Sequence, residues 1–267
     1  PTRPPLPRPP ARKAPWSRYD TGRFPADADL ETAVSDARFF LGALTGLSDS
    51  ELEHTVLPYP SLEVDPYRGM TPHLDVVSAR ARALHALASG TARIVIASAR
   101  ALLPRVSRPA LMLGAGFDLH AGSEIDPAVL SSRLAEAGFT PEDPVDQHGE
   151  FFRRGGVVDV FPATDDEPAR IEFVGDTIES IRRYDPGTQR STGEIERLVI
   201  VPMRDTLPPP DTEGTRDDED RSAAIFDYLV NARLLAIEPD DIEKQGRDGS
   251  DQIAARHGEA VRRGKSV

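Results

Sequence analysis

The grouping in this sequence that most suggests chemistry is GEAVRRGKS at positions 258–266, which looks like a loop for cradling phosphate. Such a loop keeps four residues between its first glycine and the Gly-Lys pair, so that its backbone amides converge on the phosphates. Here Gly258 and Gly264 enclose five residues, and Glu259 stands where a glycine is required. The GAG at 114–116 lacks the third glycine of a dinucleotide fingerprint, since Leu119 fills that place, and it reads as a turn. Histidines at 54, 73, 85, 120, 148 and 257 show no metal-ligand spacing, and neither HExxH nor GxSxG occurs. Glu172, Asp176 and Glu179 lie close in sequence to Arg170, Arg182 and Arg183. Opposite charges favour ordinary ionised acids over an acid with a raised pKa. The expectation is therefore no catalytic, metal or cofactor site within this chain.

Arginine is the residue type that remains. In GEFFRRGGVVDVFPATDDEPARIEFVGDTIESIRRYD, 149–185, Arg153 and Arg154 precede two glycines and a β-branched run, Arg170 opens the next run, and Arg182 and Arg183 close the third. On a strand, Arg170, Glu172 and Val174 face one way while Ile171 and Phe173 face the other. The paired Gly155 and Gly156 predict a bulge or a close approach that re-aims Arg153 and Arg154. If the strands pair through the TDDEP loop, Arg154 and Arg170 lie on neighbouring strands of one surface. A guanidinium suits a docking surface because its planar fork grips carboxylates at two points and keeps its charge when partly dehydrated. The alternative is solvated arginines paired with Glu172, Asp176 or Glu179 at little net energy. Spacing alone leaves both readings open.

The elements that must position these residues fall into two layouts. Leu30 to Leu44 has helical periodicity, with Leu30, Val34, Ala37, Phe40 and Leu41 near one face. HTVLPYPS reads as a short strand ended by Pro58 and Pro60, and Thr71 with Pro72 predicts the start of a helix that ends at Gly90. ARIVIAS then predicts a parallel strand buried on both sides, and Ser98 a short helix limited by Pro104. Strand, helix and strand in this order predict an α/β layer, the fold class assigned to the flanking segments. After Ser107 the layout changes. Asp126 and Pro127 start a helix that Gly138 stops, followed by antiparallel strands at roughly 156–161, 169–174 and 177–184 and a fourth ending at Pro202. The predicted organisation is a disordered proline-rich tail at 1–28, the first part of the lobe at 29–106, an α+β insert at 107–202, an acidic linker at 203–222, and a second lobe part with a polar tail at 223–267. The apolar run Arg233–Ile237 lacks neighbours to cover it, which suggests the front part of something longer.

Composition narrows the partners. The 267 residues carry 28% charged side chains, a net charge of -12 and no cysteine, which removes disulfides and thiolate metal sites. An acidic balance argues against wholesale binding to nucleic-acid phosphates, so any basic site must be local. No apolar run approaches the ~20 residues that span a bilayer, and the expectation is a cytoplasmic protein with no membrane partner.

At HGEFFRRGGVVDVFPATDDEPARIEFVGDTIESIRRYDPGTQRS the sequence resembles the UvrA-binding domain shared by the bacterial transcription-repair coupling factors (Mfd) and the excinuclease component UvrB. The family pattern is GEFxxRGG, a hydrophobic-x-Asp-hydrophobic-FP strand, then an R-hydrophobic-EF strand with GD, ESIR and QRS following. The upstream stretch LPYPSLEVDPYRGMTPHLDVVSARARALHALASGTARIVIASARALLPRV and the downstream FDYLVNARLLAIEPDDIE resemble the half-domains on either side in the coupling factor. The resemblance thus covers most of 30–245, and the DPxTQRS ending favours the coupling factor's N-terminal region. It implies a degenerate helicase-like parallel-sheet lobe interrupted by an antiparallel UvrA-interaction domain. It also implies a protein-binding, non-enzymatic module that recruits UvrA where RNA polymerase has stalled. ATP, Mg, RNA polymerase and DNA would be engaged by motor and polymerase-binding parts beyond Val267. The UvrA-contacting arginines of the family match Arg154 and Arg170, with Arg153 beside them, and a contacting aromatic of some members falls at Val174. The rival readings are an ATP-dependent helicase or translocase fragment acting directly on DNA, or a piece of UvrB itself. Both need a working phosphate loop. Pro1–Asp20 does not resemble the degenerate nucleotide loop of the family, and the region after Pro202 is short and acidic for the closing half-domain.

Overall fold

Residues 25–62, 72–209 and 219–263 are described by the computed structural model. Strand β1 (Val56–Tyr59) pairs in parallel with β2 (Ile94–Ala97), from Val56 opposite Ile94 to Tyr59 opposite Ala97. Helix α1 (Pro25–Thr45), longer than the sequence suggested, and helix α2 (Asp49–Thr55) precede β1. Ser48 caps α2 reciprocally with Glu51. Val34, Leu52 and Val56 form one small core, onto which Ile94 and Ile96 pack from β2. Helix α3 (Leu74–Ser89) makes the crossover and covers the opposite face, where Val95 joins Leu57, Tyr59, Ala83 and Leu84. Both faces of β2 are thus covered, but its residues stay partly exposed because its outer edge has no strand partner among the described residues. Pro58 lies within β1 instead of ending it. The expected cap Thr71 lies outside the described residues; His73 occupies the N-cap of α3, and Gly90 closes it with φ 73°. Residues 1–24 of the expected tail also lie outside, while 25–28 begin α1. Phe40, placed on the inner face by periodicity, is 44% exposed.

After the short helix α4 (Pro109–Gly114), strand β3 (Phe117–His120) opens the second unit. Helix α5 (Pro127–Glu136) follows as the sequence suggested: Asp126 accepts from the backbone of Ala128 and Val129, Leu130 and Leu134 are buried, and Gly138 ends it with φ 98°. The main sheet has six strands in sequential order: β4 (Thr140–Pro141), β5 (Glu150–Arg154), β6 (Val157–Val160), β7 (Ala169–Val174), β8 (Thr177–Tyr184) and β9 (Ser191–Glu194). All its neighbours are antiparallel except the parallel pair β4–β5. The expected fourth strand exists as β10 (Arg197–Ile200) but leaves this sheet to pair with β3, Leu198 opposite Leu119. One face of the six-stranded sheet meets α5 through Phe151, Val158, Val160, Ala169, Ile171, Ile178 and Ile181.

The supposed linker from 203 begins as packed chain. Met203, Asp205 and Leu207 are buried, and Asp205 ties the two units together by accepting from the wholly buried Arg80 of α3 at 2.6 Å. Residues 210–218 lie outside the description. A turn at Ile225–Tyr228 packs into the α3 core, with Tyr228 donating to the Ser107 carbonyl. Arg233–Ile237 forms no strand, and Val230, Leu234, Leu235 and Ile237 stay 73–86% exposed. The polar tail is helical over Pro239–Arg262, α6, so the first five residues of the phosphate-loop look-alike are helix instead of loop. None of the described helices is long and apolar enough to cross a membrane.

Candidate partner-binding face

The site is built by alternation along β5, β6, β7 and β8. Val158, Ile171 and Ile181 stand opposite one another in register and are buried, which sends the intervening residues to the other side. Two rows result on that open side: Phe152–Asp159–Arg170–Arg182 and Arg154–Val157–Glu172–Ser180. Arg154 and Arg170 therefore share a face, as the alternation of the sequence suggested. They are not on neighbouring strands, however: the sequence reading missed β5, and β6 runs between them. Arg153 pairs in register with Val158 and belongs to the core side; it is exposed only because it sits at the hairpin end. Val174 ends β7 at 65% exposure.

The double glycine is a turn and not a bulge. Arg154 stands opposite Val157, so Gly155 and Gly156 form a two-residue hairpin loop, and Gly155 takes φ 61° as the first loop position of a II′-type turn requires. A close approach is also present, because Gly156 accepts from the Phe173 amide at 2.8 Å. A β-carbon there would sit 3.2 Å from the Phe173 carbonyl oxygen. The bulge lies elsewhere, at Glu172/Phe173, where the partner strand passes from Ser180 to Ile178. It keeps both Ile178 and Ile181 in the core.

Each outward arginine pairs with a carboxylate of the chain itself, as the alternative reading of the sequence expected, although Arg154 and Arg170 take Asp143 and Asp159 in place of Glu172, Asp176 or Glu179. Arg170 donates through Nε and Nη2 to the two oxygens of Asp159, each at 2.8 Å, and its Cζ lies 4.9 Å from the Tyr184 ring centroid. These hydrogen bonds hold the guanidinium pKa above its ordinary value. Arg154 donates to Asp143 at 2.7 Å with 75% of its side chain exposed, and its Cζ lies 5.7 Å from the Phe152 ring centroid. Glu172 accepts from Ser180 at 2.7 Å and lies 3.5 Å from Arg182, while Arg183 pairs with Asp165 at 2.7 Å. Asp176 and Glu179 take neither Arg154 nor Arg170. The Arg154–Asp143 contact is exposed and worth ~0–1 kcal/mol, so a partner can displace it. The Arg170–Asp159 pair is two-pointed and two-thirds shielded, with Arg170 at 32% exposure, and is the more firmly held of the two.

Sequence reasoning missed Phe152, Val157, Asp159 and Asp143 as members of this face. The signal for Asp159 was present: an acid between Val158 and Val160 in an alternating run must point away from the core. Among the described residues no group of three or more His, Asp or Glu side chains is placed to hold a metal ion.

Residues 117–205 match the model of the UvrB interaction domain, and that span holds both the six-stranded sheet and the separate β3–β10 pair. The segment that carries this face is thus matched, over residues 117–205, to an interaction domain of the UvrB kind. Over a longer stretch the chain is similar to the transcription-repair-coupling factor of Myxococcus xanthus, 34% identical over 221 residues, which is 82% of this chain and 18% of that protein. The Escherichia coli (strain K12) factor is 29% identical over 153 residues, 57% of this chain and 13% of its own length. The Bacillus subtilis (strain 168) factor is 29% identical over 162 residues, 61% and 14%. The chain spans less than a fifth of the length of these relatives. Together the matches support a coupling-factor N-terminal region that carries a UvrB interaction domain.

Proposed function

We propose that the open face of the six-stranded sheet binds UvrA, and that the chain is the recruiting module of a transcription-coupled repair factor acting where RNA polymerase has stalled. The observation that carries this reading is that Arg154, exposed, and Arg170, partly exposed, share the side of a sheet whose other side is core, within the span matched to the UvrB interaction domain. The guanidinium groups of Arg154 and of Arg170, the latter fixed by Asp159, suit carboxylates of a partner, and Phe152 and Val157 beside them, with Val174 at the end of β7, supply apolar surface. Arg153 reaches a partner only around the hairpin end. The module itself performs no reaction in this reading. ATP and Mg, and the contacts to RNA polymerase and DNA, belong to other parts of a longer protein. The β1–α3–β2 crossover supports regarding the flanking unit as a remnant of a helicase-like lobe.

The test is UvrA affinity of the whole chain by calorimetry. Truncating one partner of a buried interfacial charge pair costs ~2–5 kcal/mol, so Arg154→Ala or Arg170→Ala should weaken binding at least about tenfold. Unchanged affinity of the double substitution, with an unchanged circular dichroism spectrum, would refute the assignment.

A further inference from the structure

The internal pair of Arg170 occupies one edge of a two-edged group. A guanidinium has five N–H donors in a planar fork, and a side-on carboxylate takes two of them. Arg170 gives one hydrogen from Nε and one from Nη2 to Asp159. Its Nη1 makes no hydrogen bond among the described residues and 32% of the side chain is exposed, so the end-on edge, Nη1 with the second Nη2 hydrogen, keeps unused donors for another carboxylate. The flat side of the group lies over Tyr184, whose own hydroxyl is anchored on the Val145 carbonyl at 3.1 Å. Asp159 is fixed in turn by its place on β6, between Phe152 and Arg170 in the register.

We propose that Asp159 is a positioning residue for partner binding: it locks the Arg170 guanidinium by one edge so that the other edge meets a partner carboxylate as a second two-point pair. The proposal rests on the reading of the open face given above. It assigns a binding role to an acid that a simple charge account would treat as an obstacle on a surface meant for acids.

The two effects of Asp159 have opposite signs. Its charge repels an acidic partner, while its grip removes the freedom of a side chain with four rotatable torsions before the partner arrives. Ordering such a side chain on binding costs about two- to tenfold in affinity. Repulsion between two carboxylates at a surface open to water is weakened by the high solvent dielectric, and the Arg170 guanidinium standing between them offsets it further. Positioning is expected to win. Asp159→Ala should therefore weaken UvrA binding about two- to tenfold even though it makes the face more basic. Asp159→Asn keeps one acceptor oxygen and should recover part of that loss. Charge alone would make both variants bind more tightly.

The experiment measures UvrA affinity for the whole chain, for Asp159→Ala and Asp159→Asn, and for each combined with Arg170→Ala. An effect exerted through Arg170 vanishes when Arg170 is absent, so Asp159→Ala in the Arg170→Ala background should cost nothing. A second readout needs no partner: the Arg170 Nε–H resonance of the free chain should be shielded from exchange, and Asp159→Ala should expose it. The Asp159 proposal is overturned if the alanine variant binds UvrA as tightly as the parent or tighter, if it weakens binding equally without Arg170, or if the Nε–H exchanges freely in the unaltered chain. Failure of the unaltered chain to bind UvrA, or indifference to Arg170→Ala, overturns the reading of the face itself and the proposal with it.

Discussion

Replacing Arg80 with methionine should be the most damaging single change among the paired arginines of the fold, and its size can be worked from the contacts. The side chain is wholly buried and donates four hydrogen bonds: to Asp205 at 2.6 Å, to Tyr59 Oη at 2.7 Å, and to the carbonyls of Pro60 and Ala101 at 2.9 and 3.1 Å. Its guanidinium also lies 4.1 Å from the Tyr59 ring centroid. Methionine fills the stem but leaves Asp205, 8% exposed, as a buried charge without its cation. Breaking a buried pair from one side costs ~3–5 kcal/mol, and partial relaxation around the two carbonyls should keep the total near ~4 kcal/mol. Stability of a domain is ~5–15 kcal/mol, so the variant should lose about a quarter or more of it. Urea denaturation followed by circular dichroism measures this directly. Adding Asp205→Leu should recover most of the loss, because the stranded charge is then gone. A single-variant loss below ~1 kcal/mol, or no recovery in the double variant, would refute the claim that this pair carries the junction.

Two further outcomes follow from local geometry. Asp126→Ala removes an N-cap that accepts from Ala128 at 2.5 Å and Val129 at 3.2 Å, and should cost ~1 kcal/mol in the same denaturation assay without changing UvrA affinity. His85 has its pKa lowered from 6.5 by burial, so its neutral form suits the fold. Its contribution to stability is fully present above pH 6.5 and is lost as pH falls through the depressed folded value, and His85→Gln should flatten the decline in thermal midpoint between neutral and mildly acidic pH.

What the sequence made legible was whatever a short window determines. The cap at Asp126, the stop at Gly138, the GD hairpin at Gly175–Asp176 and the alternation that puts Arg170, Glu172 and Val174 opposite Ile171 and Phe173 are all set by residues within a few positions of one another. Strand β5 was hidden because EFFRR does not alternate cleanly: Phe151 is buried, Phe152 is half-buried, and both arginines are exposed at its end. Strand β9, Ser191–Glu194, is exposed throughout and carries no apolar signal. The partner of β10 was hidden for a different reason, since Arg197 meets His120 across 77 residues and nothing local announces β3. Buried Arg80 reads as an outward charge on an amphipathic helix until Asp205, 125 positions away, is seen beside it. Asp143, 11 positions from Arg154 and on a loop, was equally unreadable as its partner.

Those distant pairings decide what kind of contact the face can make. The three outward arginines, Arg154, Arg170 and Arg182, are matched by Asp143, Asp159 and Glu172, so the face has little net charge of its own. The whole chain carries a net charge of -12, which does nothing to draw an acidic partner from a distance. Long-range steering, the usual gain from a basic patch, is therefore a minor contributor here. In the proposed complex affinity would have to arise at contact, by exchange of the exposed Arg154–Asp143 pair at little cost and by addition of a second carboxylate to the Arg170–Asp159 pair. Phe152, in the same row as Asp159 and Arg170, is the largest apolar side chain on the open face.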